Sequence, residues 1–334
     1  MSEIETTQHV QVEGPELSLV VPVYNEERNV PEFLKRVIPI VERSVRSYEI
    51  IFAVDPGTDA TVQIIEAARG DNPSIKMLEF SRRFGQPMAT LAGLDHALGE
   101  AVIIMDVDLQ DPPELIDALV EQWRLGFDVV VAQRSSRRGE TMIKKVVAKV
   151  GYAVINRFSE VPIPRDTGDF RLLDRRAVDE LKRFPETNGF LRGLVALVGF
   201  KQTSVMFDRP ERFSGDGNYN RFFGSLRIGF NGVFAFSNAM LNIATVLGFA
   251  AAGMSFVGAV VYLGLKLGGA DFPVGNPTIV FVVLFVGGLQ LICMGIIGQY
   301  IGRIYEEVRH RPRYIVAKTF GIPAAGGGRH NERR

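Results

Sequence analysis

Two stretches toward the carboxyl end, Ala239 to Leu265 and Phe272 to Gly302, contain no charged residue. Each exceeds the ~20 residues that a helix needs to cross a bilayer. In hydrocarbon a lone segment must satisfy its backbone hydrogen bonds internally, and a helix does so. The sequence therefore predicts two transmembrane helices, the alternative being a buried hairpin of a large soluble core. The intervening loop, Gly268 to Asn276, is short and glycine-rich, with Asp271 its only charge. Arg303, Arg309, Arg311, Arg313 and Lys318 follow the second run. Positive charge concentrated there puts both termini in the cytoplasm. Met1 to Gly14 is polar and acidic, without the apolar core of a signal peptide, so the amino half is expected to stay on that side.

The amino half has a different rhythm. Apolar runs at Leu17 to Val23, Ile50 to Val54, Met77 to Phe80, Ala101 to Met105 and Val129 to Ala132 alternate with helical patterns. Such alternation implies an α/β fold with a parallel sheet. The first four strands end in polar residues: Tyr24-Asn25-Glu26, Asp55, Ser81-Arg82, and Asp106 with Asp108. Ligands of open α/β sheets bind at those ends, so one cleft can collect all four sets. The chain has no Gly-x-Gly-x-x-Gly fingerprint and no Walker-A loop, which weighs against dehydrogenases and P-loop enzymes. Formal net charge is zero, so no global electrostatic case for nucleic acid exists. The single Cys293 excludes an intrachain disulfide and zinc-thiolate clusters, and four scattered histidines offer no ligand pair.

The segment Asp106-Val107-Asp108-Leu109-Gln110-Asp111-Pro112-Pro113-Glu114 reads as a metal site. Side chains alternate on an extended chain, so Asp106, Asp108 and Gln110 are expected on one side where the apolar strand ends. Neighbouring carboxylates repel unless a dication lies between them, and all-oxygen ligands suit Mg2+ or Mn2+. Asp111 is expected to cap the next helix, with Pro112 at its first position and Glu114 completing a capping box.

From Gly139 to Gly199 the pattern is helical, punctuated by prolines, with Gly168-Asp169-Phe170-Arg171 expected in a loop. A basic loop with Arg209 and Arg212 precedes an aromatic stretch containing Arg221 and Arg227, read as an interfacial amphipathic helix. Arginines at such a place can grip an anionic headgroup through paired hydrogen bonds, or simply attract anionic lipid. Small residues at four-residue spacing, Gly264 with Gly268 and Gly298 with Gly302, suit either packing of the two spans or a homo-oligomer. The expected organisation is a disordered tail over 1–14, a catalytic domain over 15–218 and an interfacial region over 219–237. Two transmembrane helices over 238–305 and a cytoplasmic tail over 306–334 complete it.

These residues together resemble the family 2 glycosyltransferases of the polyprenyl-phosphate type, including dolichyl-phosphate mannose synthase and the bactoprenol glucosyltransferases. The resemblance runs from about Leu17 to Lys318. It rests on Val21-Pro22-Val23-Tyr24-Asn25-Glu26, Ser81-Arg82-Arg83-Phe84-Gly85, the run from Asp106 to Glu114, Gly168-Asp169-Phe170-Arg171-Leu172, Phe190-Leu191-Arg192-Gly193 and Phe236-Ser237. It implies a GT-A-type nucleotide-sugar-binding domain with a mainly parallel sheet, then interfacial helices and two spans. Pro22, Tyr24, Glu26, Asp55 and Arg82 would bind the donor nucleotide, and Asp106, Asp108 and Gln110 would hold the metal against its diphosphate. Arg134, Arg209, Arg212 and Arg171 would handle phosphates of donor or acceptor, and Asp169 would lie near the sugar. The family's Asp-Asp-Gly-Ser-x-Asp is shortened here to Asp55-Pro56-Gly57-Thr58-Asp59.

The activity implied is transfer of a hexose, glucose from UDP-glucose, onto undecaprenyl phosphate at the inner face of the plasma membrane. A lipid phosphate is already anionic, so its oxygen attacks the anomeric carbon without a strong base, and a single displacement inverts that centre. The alternative within the family is a GDP-mannose-dependent mannose synthase. A processive polysaccharide synthase would carry Gln-x-x-Arg-Trp, and Trp123, the only tryptophan, follows Val120-Glu121-Gln122 instead. A non-catalytic membrane scaffold is the remaining reading.

Overall fold

The structure, a computed structural model, describes residues 14–134, 167–184, 191–208, 239–269 and 277–322. Within these, 14–134, 167–184, 191–208 and 312–322 belong to one compact unit, and 239–269 with 277–311 to another. The first unit begins with β1 (Leu17–Val23), α1 (Asn29–Ser44), β2 (Tyr48–Val54), α2 (Thr61–Asp71), β3 (Ile75–Phe80) and α3 (Gln86–His96). It continues with β4 (Ala101–Ile104), α4 (Leu115–Arg124), β5 (Val129–Arg134), β6 (Thr167–Asp174), α5 (Arg175–Arg183), α6 (Leu191–Val198) and β7 (Gln202–Phe207). The second unit contains α7 (Ala239–Leu267) and α8 (Pro277–Val308), after which β8 (Val316–Phe320) rejoins the first.

The eight strands form one mixed sheet in the order β7-β5-β6-β4-β1-β2-β3-β8. Strands β4, β1, β2 and β3 are mutually parallel, as the alternating sequence predicts. All seven residues of β1 are buried, which accounts for its unbroken apolar run, since a central parallel strand is covered on both faces. Pro22 interrupts no ladder to β4, because the β1–β4 pairing ends at Val20 and Ile104. Helix α1 packs through Val30, Phe33, Leu34, Val37, Ile40 and Val41, one helical stripe, with Phe33 edge-on to Phe52 at 6.1 Å. Asp174 caps α5, its carboxylate accepting from the Arg176 N–H at 3.0 Å.

Two readings of the sequence are corrected here. Gly168-Asp169-Phe170-Arg171 lies in strand β6, antiparallel between β4 and β5, where Phe170, Leu172 and Leu173 enter the core. The segment after the second apolar run is also more than a tail. Helix α8 extends to Val308, and β8 pairs antiparallel with β3, with Phe320 packed against the core.

In the second unit α7 and α8 turn their apolar side chains outward. None of the residues in the most apolar window of either helix is buried, and both are long enough to cross a membrane. Phe249, Phe256, Leu284 and Leu291 are among the exposed ones. A core hairpin would bury them, so that alternative is set aside. A Cβ added at Gly264, Gly298 or Gly302 would meet nothing within 4 Å, so packing between the spans does not use these glycines. The expected interfacial helix over 219–237 lies outside the described residues.

Candidate active site

The strand ends of the first unit are laced together by side chain to backbone bonds. Asn25 adopts positive φ (54°) and its Oδ1 accepts from the Thr58 N–H at 2.9 Å. Gly57 faces it, and any Cβ there would collide with that oxygen. The Glu26 N–H donates to Thr61 Oγ1 at 2.9 Å, Glu27 N–H to Asp59 at 3.1 Å, and Ala60 N–H to Glu27 at 3.1 Å. The shortened Asp55-to-Asp59 segment thus serves to bind the loop after β1 to the loop after β2.

Asp55 is 3% exposed, and its two carboxylate oxygens accept from Phe84 N–H and Gly85 N–H, each at 2.8 Å. A carboxylate bonded by two amides is a firm anchor, and it sets the loop between β3 and α3. On that loop the Arg83 guanidinium lies over the Tyr24 ring at 3.8 Å, and that of Arg82 over Phe84 at 3.9 Å. Tyr24, Glu26, Asp55 and Arg82 therefore share one edge of the sheet, as the sequence predicts for strand ends.

Strand β4 ends at Ile104, and the acidic run follows it as a turn rather than as further strand, with Leu109 at φ 60°. Strand alternation therefore does not govern Asp106, Asp108 and Gln110; the turn does. Asp106 Oδ1 accepts from Gln86 Nε2 at 2.7 Å, and Asp108 Oδ1 accepts from the Gln110 N–H at 3.1 Å. Asp111 is no helix cap: it is buried and turned back to the Asp106 N–H at 3.4 Å. Helix α4 begins at Leu115, and Glu114 makes no cap bond but pairs with Arg36 at 2.7 Å. Among the described residues no group of three or more His, Cys, Asp or Glu side chains could hold a metal. The pair Asp106 and Asp108 still fits Mg2+ or Mn2+, ions that take one or two carboxylates and draw the rest of their shell from water and phosphate.

Because β6 runs opposite to β4 and β5, its first residues reach the edge where those strands finish; Gln133 pairs with Thr167. That reversal brings Asp169 and Arg134 to one place. Asp169 Oδ1 accepts from Arg192 Nε at 2.8 Å, with Arg171 at 4.0 Å. Burial pushes the Asp169 carboxyl up, but the charges of Arg192, Arg171 and Arg134 outweigh it and hold the group below its ordinary range. Arg171 itself is 2% exposed, its guanidinium donating to the Gly168 and Asp169 carbonyls, and burial lowers it to about 10. It holds the start of β6 and is turned away from solvent, which corrects its reading as a phosphate ligand. Arg209 and Arg212 lie outside the described residues. Two residues without a role in the sequence reading emerge: Gln86, first in α3, and Arg192, whose Phe-Leu-Arg-Gly setting was its one signal.

The arrangement is that of a GT-A-type α/β enzyme with a carboxylate turn at its central strand ends. The family model for glycosyl transferase family 2 matches residues 18–182. An uncharacterized glycosyltransferase of Bacillus subtilis, YkcC, is 41% identical over 91% of this chain and 94% of its own length. The SfII prophage-derived bactoprenol glucosyl transferase of Shigella flexneri is 41% identical over 91% of this chain and 98% of its own. Among solved structures, the mannosyltransferase PcManGT of Pyrobaculum calidifontis, in complex with GDP-Man and Mn2+, aligns over 87% of this chain and 88% of its own. Identity there is 16% and the TM-score 0.46. The chain belongs to glycosyltransferase family 2.

Proposed function

We propose that this glycosyltransferase moves glucose from UDP-glucose to the phosphate of a polyprenyl lipid, with inversion, at the cytoplasmic face of the inner membrane. The observation that carries the reading is near-full-length similarity to bactoprenol glucosyl transferases, in a chain whose two apolar helices face outward. The spans anchor the enzyme where a lipid phosphate is presented, with residues 268–276 on the far side.

Tyr24, Glu26 and Arg82 line the donor nucleotide at the laced strand ends, with Pro22 behind them and Asp55 supporting the site by holding the loop that carries Arg82, and Arg134 approaches the phosphates. Asp106 and Asp108, with Gln110 beside them, would hold a divalent cation, which would supply charge neutralisation for the departing diphosphate. In the reaction an acceptor phosphate oxygen forms a bond to the anomeric carbon. The bond from that carbon to the donor diphosphate breaks, and the nucleoside diphosphate leaves with the electron pair. No proton need be removed from the acceptor, which agrees with Asp169 being held as a carboxylate by Arg192, a state suited to orienting charge rather than to strong base catalysis. Arg209 and Arg212 grip the lipid phosphate.

The test is transfer by the purified full-length protein with undecaprenyl phosphate and radiolabelled UDP-glucose, GDP-mannose and other nucleotide hexoses. Lipid-soluble label from UDP-glucose, in β linkage by NMR, is expected. Label from GDP-mannose alone reassigns the donor, and label growing into a polymer contradicts single transfer.

A further inference from the structure

The stretch that follows α8 reaches the donor side of the sheet. Strand β8 extends β3, pairing Phe80 with Val316 and Glu79 with Lys318 across an irregularity between Glu79 and Phe80. The Ser81 N–H, next along from β3, donates to the Ile315 carbonyl at 3.0 Å. Ser81 opens the loop that carries Arg82, Arg83, Phe84 and Gly85, so this bond fixes the loop's first residue. Tyr314 lies between that loop and α3. Its ring is 5.9 Å from Phe80, which is edge-on to Phe84 at 6.0 Å, and Phe84 is the residue whose N–H is held by Asp55. The Tyr314 hydroxyl donates to Asp95 at 2.8 Å, and its ring lies 6.3 Å from His96, both in the last turn of α3. The first residue of α3 is Gln86, which donates to Asp106. Lys318 pairs with Glu79 at 3.5 Å, and β8 ends at Phe320, followed by Gly321 at positive φ (70°) beside Arg69 of α2.

We propose that residues 314–320 are a clamp for the donor nucleotide, with Tyr314 the positioning residue that holds the 81–85 loop and α3 in their binding form. The inference rests on the reading of the strand ends as a nucleotide site. It adds to that reading that a strand beyond the second apolar helix sets nucleotide affinity. Tyr314 acts through Phe80, Phe84 and Asp95 and touches no reacting atom. Burial first, and the nearby Asp95 charge second, push the phenol above its ordinary range, so it remains a donor throughout the working pH range.

Coupling between clamp and nucleotide is reciprocal, so binding must stabilise β8 as much as β8 favours binding. Hydrogen exchange on the full-length wild-type protein in detergent, with and without UDP or GDP, reads this directly. UDP is expected to slow exchange in 81–85 and in 314–320 together. Tyr314→Ala is expected to raise the Kd for UDP about tenfold, the scale of a lost buried aromatic contact, and Tyr314→Phe about two- to fivefold. The KM for lipid acceptor stays unchanged in both. Protection of 81–85 without 314–320 overturns the clamp and leaves the nucleotide site standing. Unchanged UDP affinity in Tyr314→Ala at a lowered melting temperature also overturns it, by making the strand purely structural. If Tyr314→Ala fails to fold, wild-type exchange and Tyr314→Phe affinity decide. No protection by either nucleotide overturns the donor-site reading and the clamp with it.

Discussion

The two units use apolar residues in opposite senses. In the sheet unit Phe33, Phe52, Phe80 and Phe170 are fully enclosed, and polar groups collect at the strand ends with their hydrogen bonds made by neighbouring loops. In the helical unit Phe249, Phe256 and Leu291 stand outward, and polar side chains fold back on their own helix, as Thr245 and Ser255 do onto carbonyls four residues earlier. Only the surroundings differ: one unit excludes water from its centre, and the other is suited to surroundings that are apolar already. The residues proposed for chemistry lie in the first, where fixed polar groups can be aimed, and the second carries the two outward-facing apolar helices suited to a membrane.

The strongest test of that contrast is one substitution type made in both units. Phe52→Ala should destabilise the sheet unit by about 3–5 kcal/mol, whereas Phe256→Ala should stay within about 0.5 kcal/mol. Urea titration of the full chain in detergent can be followed through the single tryptophan, Trp123, whose indole N–H donates to Asp174 at 2.8 Å in the sheet unit. Equal losses at the two positions would break the distinction.

Next in size is the carboxylate turn. Asp108→Asn keeps an acceptor for the Gln110 N–H and removes one charge, so the fold should persist while turnover falls roughly 10²–10³-fold. A variant with unchanged Trp123 fluorescence and normal turnover would remove Asp108 from the chemistry.

A smaller effect concerns Asp169. Its carboxyl is depressed in the folded state, so its stabilising contribution is complete above the unfolded value of about 3.9 and is lost as pH falls through the folded value. Arg192→Gln removes the partner. The stability gap between wild type and Arg192→Gln should be flat through neutral pH and narrow only below about pH 4. A gap that opens or closes between pH 6 and 8 would show that Asp169 titrates there and can serve as a base.

The parallel strands and both apolar helices were legible in the sequence, because β1 to β5 and the two uncharged runs each carry a one-dimensional pattern. Strand β6 was not: Gly168 beside a proline-rich stretch suggests a loop, and only pairing on both sides with β4 and β5 makes it a strand. Strand β8 was hidden for a related reason. It is a half-exposed edge strand whose partner, β3, lies far back in the chain. At the site, Asp106 and Asp108 stood out by type and place. Asp111 did not, since its inward turn depends on the reversal at Leu109, which local capping rules do not anticipate.

The central claim is that the turn from Asp106 to Gln110 performs glycosyl transfer with a divalent cation. It is met most directly by measuring lipid-linked glucose formed from UDP-glucose by the full-length protein after chelation, then after adding back Mg2+ or Mn2+. The account predicts loss of transfer in chelator and recovery with either ion in wild type but not in Asp108→Asn. Undiminished transfer in chelator would contradict it.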